Sequence, residues 1–192
     1  MAYVTAAIAK SDWLQIAAAD TTHDAMIERF ILAAVSEIDA ILGQPIEAVD
    51  TDVYFSGNGT AMHPLFYTVP VTLTTLSYRN TPLESWTAAT ATEYGVYTDG
   101  ITKLYHSDGL TYPLYKAAMT IGYATADVPD EIAICAYELV KEMFNETPHG
   151  SYDRFGVGAI TQTDAGISIS KVLVRMRPIV EQRLAQYRRI TI

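Results

Sequence analysis

"GYATADVPDEIAICAYELVKEMF", residues 122–144, is the stretch that decides the fold. It begins where the strand-like run "YKAAMTIGY" ends, crosses a short turn and becomes a helix near Pro129, whose missing N–H is harmless in a first helical turn. Ile132, Cys135, Ala136, Leu139, Val140 and Met143 then recur at helical spacing, while Glu131, Glu138, Lys141 and Glu142 lie away from that face. The spacing predicts a packed helix over 129–145. A β region hands over to it, so the chain reads as α+β.

Working outward, "DAMIERFILAAVSEIDAIL" places Ile27, Phe30, Ile31, Ala34, Ile38, Ile41 and Leu42 on one stripe, predicting a helix over 22–42. Thr21 or Thr22 is its expected cap, and Gly43 followed by Pro45 its stop. Ser11 and Asp12 suggest a shorter helix over 11–19. Between the helices, residues 50–123 switch to a period of two with frequent turn residues, predicting an antiparallel insertion of roughly five to seven short strands. "TDVYFSGNGTAMHPLFYTV" reads as two strands around the 57–59 turn, the second cut short by Pro64. Asp99-Gly100 and Asp108-Gly109 read as hairpin turns.

After the 129–145 helix, residues 146–166 are predicted to form a long loop. "ISISKVLV" is strand-like, and Arg177-Pro178 marks a break, because the residue before proline avoids the helical region. A last short helix is expected from Pro178 to about Arg189, with Val180, Leu184 and Tyr187 on one side. The expected elements are two main helices plus short N-terminal and C-terminal helices, with an antiparallel β region inserted over 50–123. Residues 1–170 are read as one domain, and 171–192 as a basic strand-helix tail.

That tail stands apart electrostatically. Residues 1–170 hold 7 Lys+Arg against 21 Asp+Glu, net −14, whereas 171–192 hold 6 against 1, net +5, for a whole-chain charge of −9. A basic end on an acidic body signals interaction. The acidic body argues against broad adhesion to nucleic acid, which needs clustered Lys and Arg over the contact face. The single cysteine, Cys135, excludes an internal disulfide and a cysteine-cluster zinc site. The N-terminus lacks the pattern of a signal peptide and no stretch has the length of a membrane span, so a soluble chain made in the cytoplasm is expected, with no membrane partner.

Catalytic chemistry is not visible. His23, His63, His106 and His149 sit in or beside predicted turns with no second ligand at metal spacing, and are read as solvated loop residues. Cys135 falls on an apolar helix stripe, where a free thiol acts as a small hydrophobe. "SGNGT" and "FGVG" lack the lysine and the strand-to-helix setting of a phosphate cradle. No catalytic residue, no metal and no cofactor is assigned, and an enzyme is not expected.

The order of elements carries more. A helix ending "ILGQPI", the strand "VYFSGNGTAMHPL", the strand after "VPVTLTTLSY", the "GYATADVPDEI" junction into a helix and a closing "LAQYRR" together resemble the head-tail connector, or head completion adaptor, proteins of long-tailed bacteriophages and gene-transfer particles. The resemblance spans about residues 13–189 and implies an α+β fold, a small helical bundle carrying the β insertion, in a structural virion protein at the neck. It implies a homo-oligomeric ring, typically of twelve subunits, docked on a portal protein and joined from the other face by a tail-side neck or tail completion protein. DNA passes through such a ring without specific binding.

Within that frame, Lys171, Arg175, Arg177, Arg183, Tyr187, Arg188 and Arg189 are the expected portal-docking residues, because arginine pairs carboxylates bidentately. On a strand, Lys171, Arg175 and Arg177 share one face and Val172, Val174 and Met176 the other. Tyr67, Tyr78, Trp86, Tyr94, Tyr97 and Tyr112 are the expected inter-subunit aromatics, taken as exposed rings. The acidic body fits a channel wall that repels phosphate. The alternative reading is a small nucleic-acid-binding protein that uses the basic tail.

Overall fold

Apolar spacing becomes helix as expected in the core of the chain. The computed structural model describes residues 3–99, 101–147 and 162–189. Two units emerge: Met1–Gly43 with Thr125–Gln186, which is helical, and Gln44–Ala124 with Tyr187–Ile192, which is built on antiparallel strands. The fold class is therefore α+β.

In the helical unit, α1 (Ala6–Ile8) runs into a π-helical turn (Ala9–Leu14), followed by α2 (Asp24–Leu42), α3 (Asp130–Asn145) and α4 (Gln162–Arg183). All seven residues of the α2 stripe are buried, and the helix stops at Gly43, whose φ of 68° suits glycine and whose N–H donates to the Asp39 carbonyl. α3 buries its predicted face together with Tyr137 and Phe144. Pro129 sits extended at its entrance, and Asp130 and Glu131 occupy the first turn, where the helix dipole favours negative charge. Tyr137 stacks on Trp13 at 5.7 Å, and its hydroxyl accepts from the Thr5 N–H at 3.1 Å, fixing the N-terminal segment on α3.

Two expectations need correction at the N-terminal side of this unit. The short N-terminal helix lies over 6–14, not 11–19, and Gln15 ends it at φ 56°. Lys10, only 4% exposed, explains this: its Nζ donates to the carbonyls of Ala18 and Asp20 and to Asp24 Oδ1 at 2.7 Å, gathering the following residues into a loop. α2 starts at Asp24 with His23, not Thr21 or Thr22, at its N-cap and no side-chain cap; Thr22 instead gives its N–H to Asp20 Oδ1.

The largest correction is α4. The predicted strand over 167–174 and the break at Pro178 are one continuous helix, with Pro178 inside it. Part of the predicted 146–166 loop is also α4, from Gln162 onward; Glu146 and Thr147 are non-helical as expected, and 148–161 lies outside the described residues. Proline removes the N–H that would bond the carbonyl four residues earlier, that of Val174. Val174 is 80% exposed, so water can satisfy that carbonyl and the helix survives. Val172, Val180 and Leu184 are buried on one stripe at four-residue steps, and Val174, expected beside Val172, projects to solvent instead.

The β unit holds β1 (Val49–Phe55), β2 (Met62–Pro64), β3 (Val71–Arg79), β4 (Thr87–Ala88), β5 (Tyr94–Asp99), β6 (Ile101–His106) and β7 (Leu114–Ile121). They form a four-stranded sheet, β1-β7-β3-β4, and a three-stranded sheet, β2-β6-β5, with every pairing antiparallel. β7 shows the alternation most clearly: Tyr115, Ala117, Met119 and Ile121 are buried, and the residues between them are partly exposed. A bulge at Thr74 resets β3 so that Leu73 faces Met119 and Leu76 faces Ala117.

The two strands around residues 57–59 do not pair with each other, as β1 joins β7 and β2 joins β6. Gly57 is required there because a Cβ would lie 2.1 Å from the Tyr112 carbonyl oxygen. Gly109 has φ 79°, so a turn does form at Asp108-Gly109, but the strands it separates belong to different sheets and it is no hairpin. β5 and β6 pair out to Asp99 and Ile101; Gly100 between them lies outside the described residues.

Candidate functional site

The seven predicted docking residues of the C-terminal segment fall into two groups. Four belong to α4 and find acids within the helical unit. Lys171 Nζ meets Glu146 Oε2 at 2.5 Å, and Arg175 spans Glu146 at 2.7 Å and Glu142 at 2.6 Å. Arg177 bonds Glu181 at 3.1 Å and Glu37 at 3.2 Å, while Arg183 pairs with Glu138. The acids come from the polar sides of α2 and α3 and from the end of α3, so the −14 body and the +5 tail partly neutralise each other. Hydrogen bonding from Lys171 holds the Glu146 carboxyl below its usual range, with Arg175 adding to the effect against the opposing pull of burial.

The remaining three, Tyr187, Arg188 and Arg189, belong to the β unit. The Tyr187 carbonyl accepts from Gln44 Nε2 at 2.6 Å and from Thr68 Oγ1 at 2.7 Å. Gln44 is 4% exposed, and its Oε1 accepts from the Thr68 N–H, so this buried amide is satisfied on both sides. Arg189 lies 4.4 Å over the Tyr67 ring and donates to the Leu65 carbonyl. Arg188 is exposed and makes no ion pair with a described residue.

The six predicted aromatics all lie in the β unit, but they are not six exposed rings. Tyr67 is 9% exposed beneath Arg189. Tyr78 and Tyr112 stack at 3.8 Å and lean on buried Tyr115, so much of their area is spent on each other. Trp86 carries the Arg79 guanidinium at 4.2 Å and contacts Tyr54. Tyr94 is half-buried, and Tyr97 projects, 53% exposed. Tyr54, 60% exposed, was not singled out from sequence; the period of two in β1, which sets it on the face of Asp50 and Asp52, is the signal that points to it.

Little here can do chemistry. A groove of about 380 Å³ on the four-stranded sheet is lined by Asp50, Thr51, Asp52, Thr74, Ala118 and Met119. Its carboxylates are engaged, Asp50 by the Thr120 hydroxyl at 2.6 Å and Asp52 by Lys116 at 2.8 Å, and no Cys, Ser or His is among its lining residues. Cys135 is buried, and burial pushes its thiol up. Two histidines differ from the solvated-loop reading. His106, at the end of β6, is 6% exposed and its Nδ1 accepts from the Asp108 N–H; His63, in β2, stacks on Phe55 and is pushed down by burial. His149 lies outside the described residues. Among the described residues no group of His, Cys, Asp and Glu is set to hold a metal, and no helix is long and apolar enough to cross a membrane.

Residues 7–183 match the model of a family described as head completion protein. Three solved chains share the fold. One, from the neck of an empty GTA particle computed with C6 symmetry, superposes with a TM-score of 0.55 at 16% identity, over 88% of this chain and 92% of that one. A second, from the neck of a native GTA particle computed with C12 symmetry, gives 0.53 at 14% identity over the same shares. The third, from the virion of a native gene transfer agent particle, gives 0.52 at 14% identity over 96% of this chain and 88% of that one. No curated protein matches the chain in sequence.

Proposed function

The chain belongs to the head completion protein family, and from that premise we propose that it is a structural virion protein of the neck. It is a head-tail adaptor that forms a ring between the portal and the tail-side neck proteins and continues the DNA channel. The family match over residues 7–183 carries this reading. The fold shared with chains from GTA necks supports it, and the twelvefold symmetry of one of those necks is the model for the ring number.

The portal-docking role of the C-terminal segment takes a specific form. Lys171, Arg175, Arg177 and Arg183 are engaged by acids of their own chain, yet Lys171, Arg175 and Arg177 keep about half or more of their side-chain surface exposed. A portal surface rich in carboxylates shares or exchanges these contacts, and exposed ion pairs, worth roughly 0–1 kcal/mol each, exchange readily. Arg188 is available without exchange. Tyr187 and Arg189 act through the β unit, holding the chain end in place.

The nucleic-acid reading of the tail loses ground on the same observation. Cations already paired with Glu37, Glu138, Glu142 and Glu146 release few counterions from a phosphate backbone. The acidic body keeps its proposed role as a wall that lets DNA slide.

Cosedimentation of the full chain with its purified portal ring tests the adaptor role, with truncation after Gly166 as the second arm. Binding that requires residues 167–192 supports the docking segment, and undiminished binding by the truncated chain removes it. Salt-sensitive retention of DNA by the free chain, without portal binding, favours the nucleic-acid reading.

A further inference from the structure

The two sheets of the β unit are unequal at their edges. The four-stranded sheet ends on one side in β4, two residues long, and on the other in β1, seven residues long. The three-stranded sheet ends in β2, three residues closed by Pro64, and in β5, six residues long. Short strands and proline stop an edge from recruiting another strand, and β1 and β5 have neither protection. Their backbone ladders run only to β7 and β6, and no other described residue bonds to the backbone of either. On the open sides, alternate N–H and C=O groups therefore find no backbone partner among the described residues.

The geometry points to a strand-to-strand joint between copies of this chain, in which the open edge of β1 in one copy pairs with the open edge of β5 in the next. This rests on the ring reading proposed above. Two observations select a second copy as the occupant. A head-to-tail ring needs two different, mutually complementary patches on each subunit, and one β unit carries two different open edges of nearly equal length. Charge then selects the pairing. Asp50 and Asp52 are the charges of β1, so β1 against β1 brings four carboxylates together, whereas β5 carries a single aspartate, Asp99, at its end. Tyr54 and Tyr97, the most exposed tyrosines among the described residues, sit on these two edge strands and supply apolar contact beside the ladder.

The test uses rings of the full chain assembled on purified portal. Thr51→Cys and Thr98→Cys replace exposed side chains, one on each edge, and Cys135 is buried and gives little background. After treatment with a short bifunctional maleimide and denaturation, the doubly substituted chain is expected to run as a ladder extending beyond dimers, and each single variant as monomer. Val49→Cys with Val96→Cys covers a different register. Hydrogen exchange on the unsubstituted chain provides a readout free of mutations: amides of β1 and β5 should slow at least tenfold on ring assembly. Intact rings with no ladder from either pair and unchanged exchange overturn the joint but leave the ring reading standing. Failure of the unsubstituted chain to form rings overturns both. Dimers from Thr98→Cys alone place β5 against β5 and overturn the pairing.

Discussion

α3 and α4 belong to the same unit and are held there by different forces. α3 buries eight side chains, from Ile132 to Phe144. Over the part of α4 whose side chains are described, two are buried, Val172 and Val180, with Leu184 buried just past its end, and four basic side chains add ion pairs at the surface. Apolar burial is insensitive to salt and destabilises the whole unit when lost. Exposed ion pairs are individually weak and screened. The contrast separates a permanent element of the core from one suited to exchanging partners in an assembly.

Leu139→Ala in α3 should give the largest effect, a loss of about 3 kcal/mol seen as a lower denaturation midpoint of the whole helical unit. A loss under about 1 kcal/mol would erase the distinction. Leu184→Ala, just past the end of α4, should cost about 2 kcal/mol, read by hydrogen exchange as faster opening of α4 while α2 and α3 keep their protection. Equal loosening of all three helices would show that α4 is part of the same cooperative core.

Why α3 was legible and α4 was not follows from the same difference. A helix that buries a wide face writes that face into its sequence, as Ile132, Cys135, Leu139 and Met143 do. α4 buries a narrow stripe, and the stretch "ISISKVLV" also satisfies a period of two. Pro178 then argues for a boundary that only the solvent exposure of Val174 removes. A stripe of Val172, Met176, Val180 and Leu184 runs across the proline and was the overlooked helical signal. The β insertion was legible as strands and turns, but pairing was not, because the partners of β1 and β2 lie far along the chain. The basic residues were found by charge, and their acids on α2 and α3 were missed because such contacts depend on how helices are placed.

Salt gives a smaller and more selective effect. Raising NaCl from about 0.05 to 1 M shortens the screening length to roughly 3 Å and should weaken α4 attachment by about 1 kcal/mol, leaving α3 exchange unchanged. Smallest is the effect at Glu146. Its folded pKa is depressed, so its contribution is full above the ordinary value of 4.5 and is lost as pH falls through the folded value. The protection of α4 amides, taken relative to their intrinsic exchange rate at each pH, should fall a few-fold on acidification below 4.5, and Glu146→Gln should show that lower protection at neutral pH with less further change in acid. An unchanged acid response in Glu146→Gln would assign the effect to other carboxylates.

The most direct test of the neck adaptor role is cryo-electron microscopy of the full chain mixed with its purified portal. A closed ring of this chain seated coaxially on the portal, with α4 density at the contact, is the predicted result. A chain that stays monomeric and off the portal at concentrations where both are soluble would contradict it.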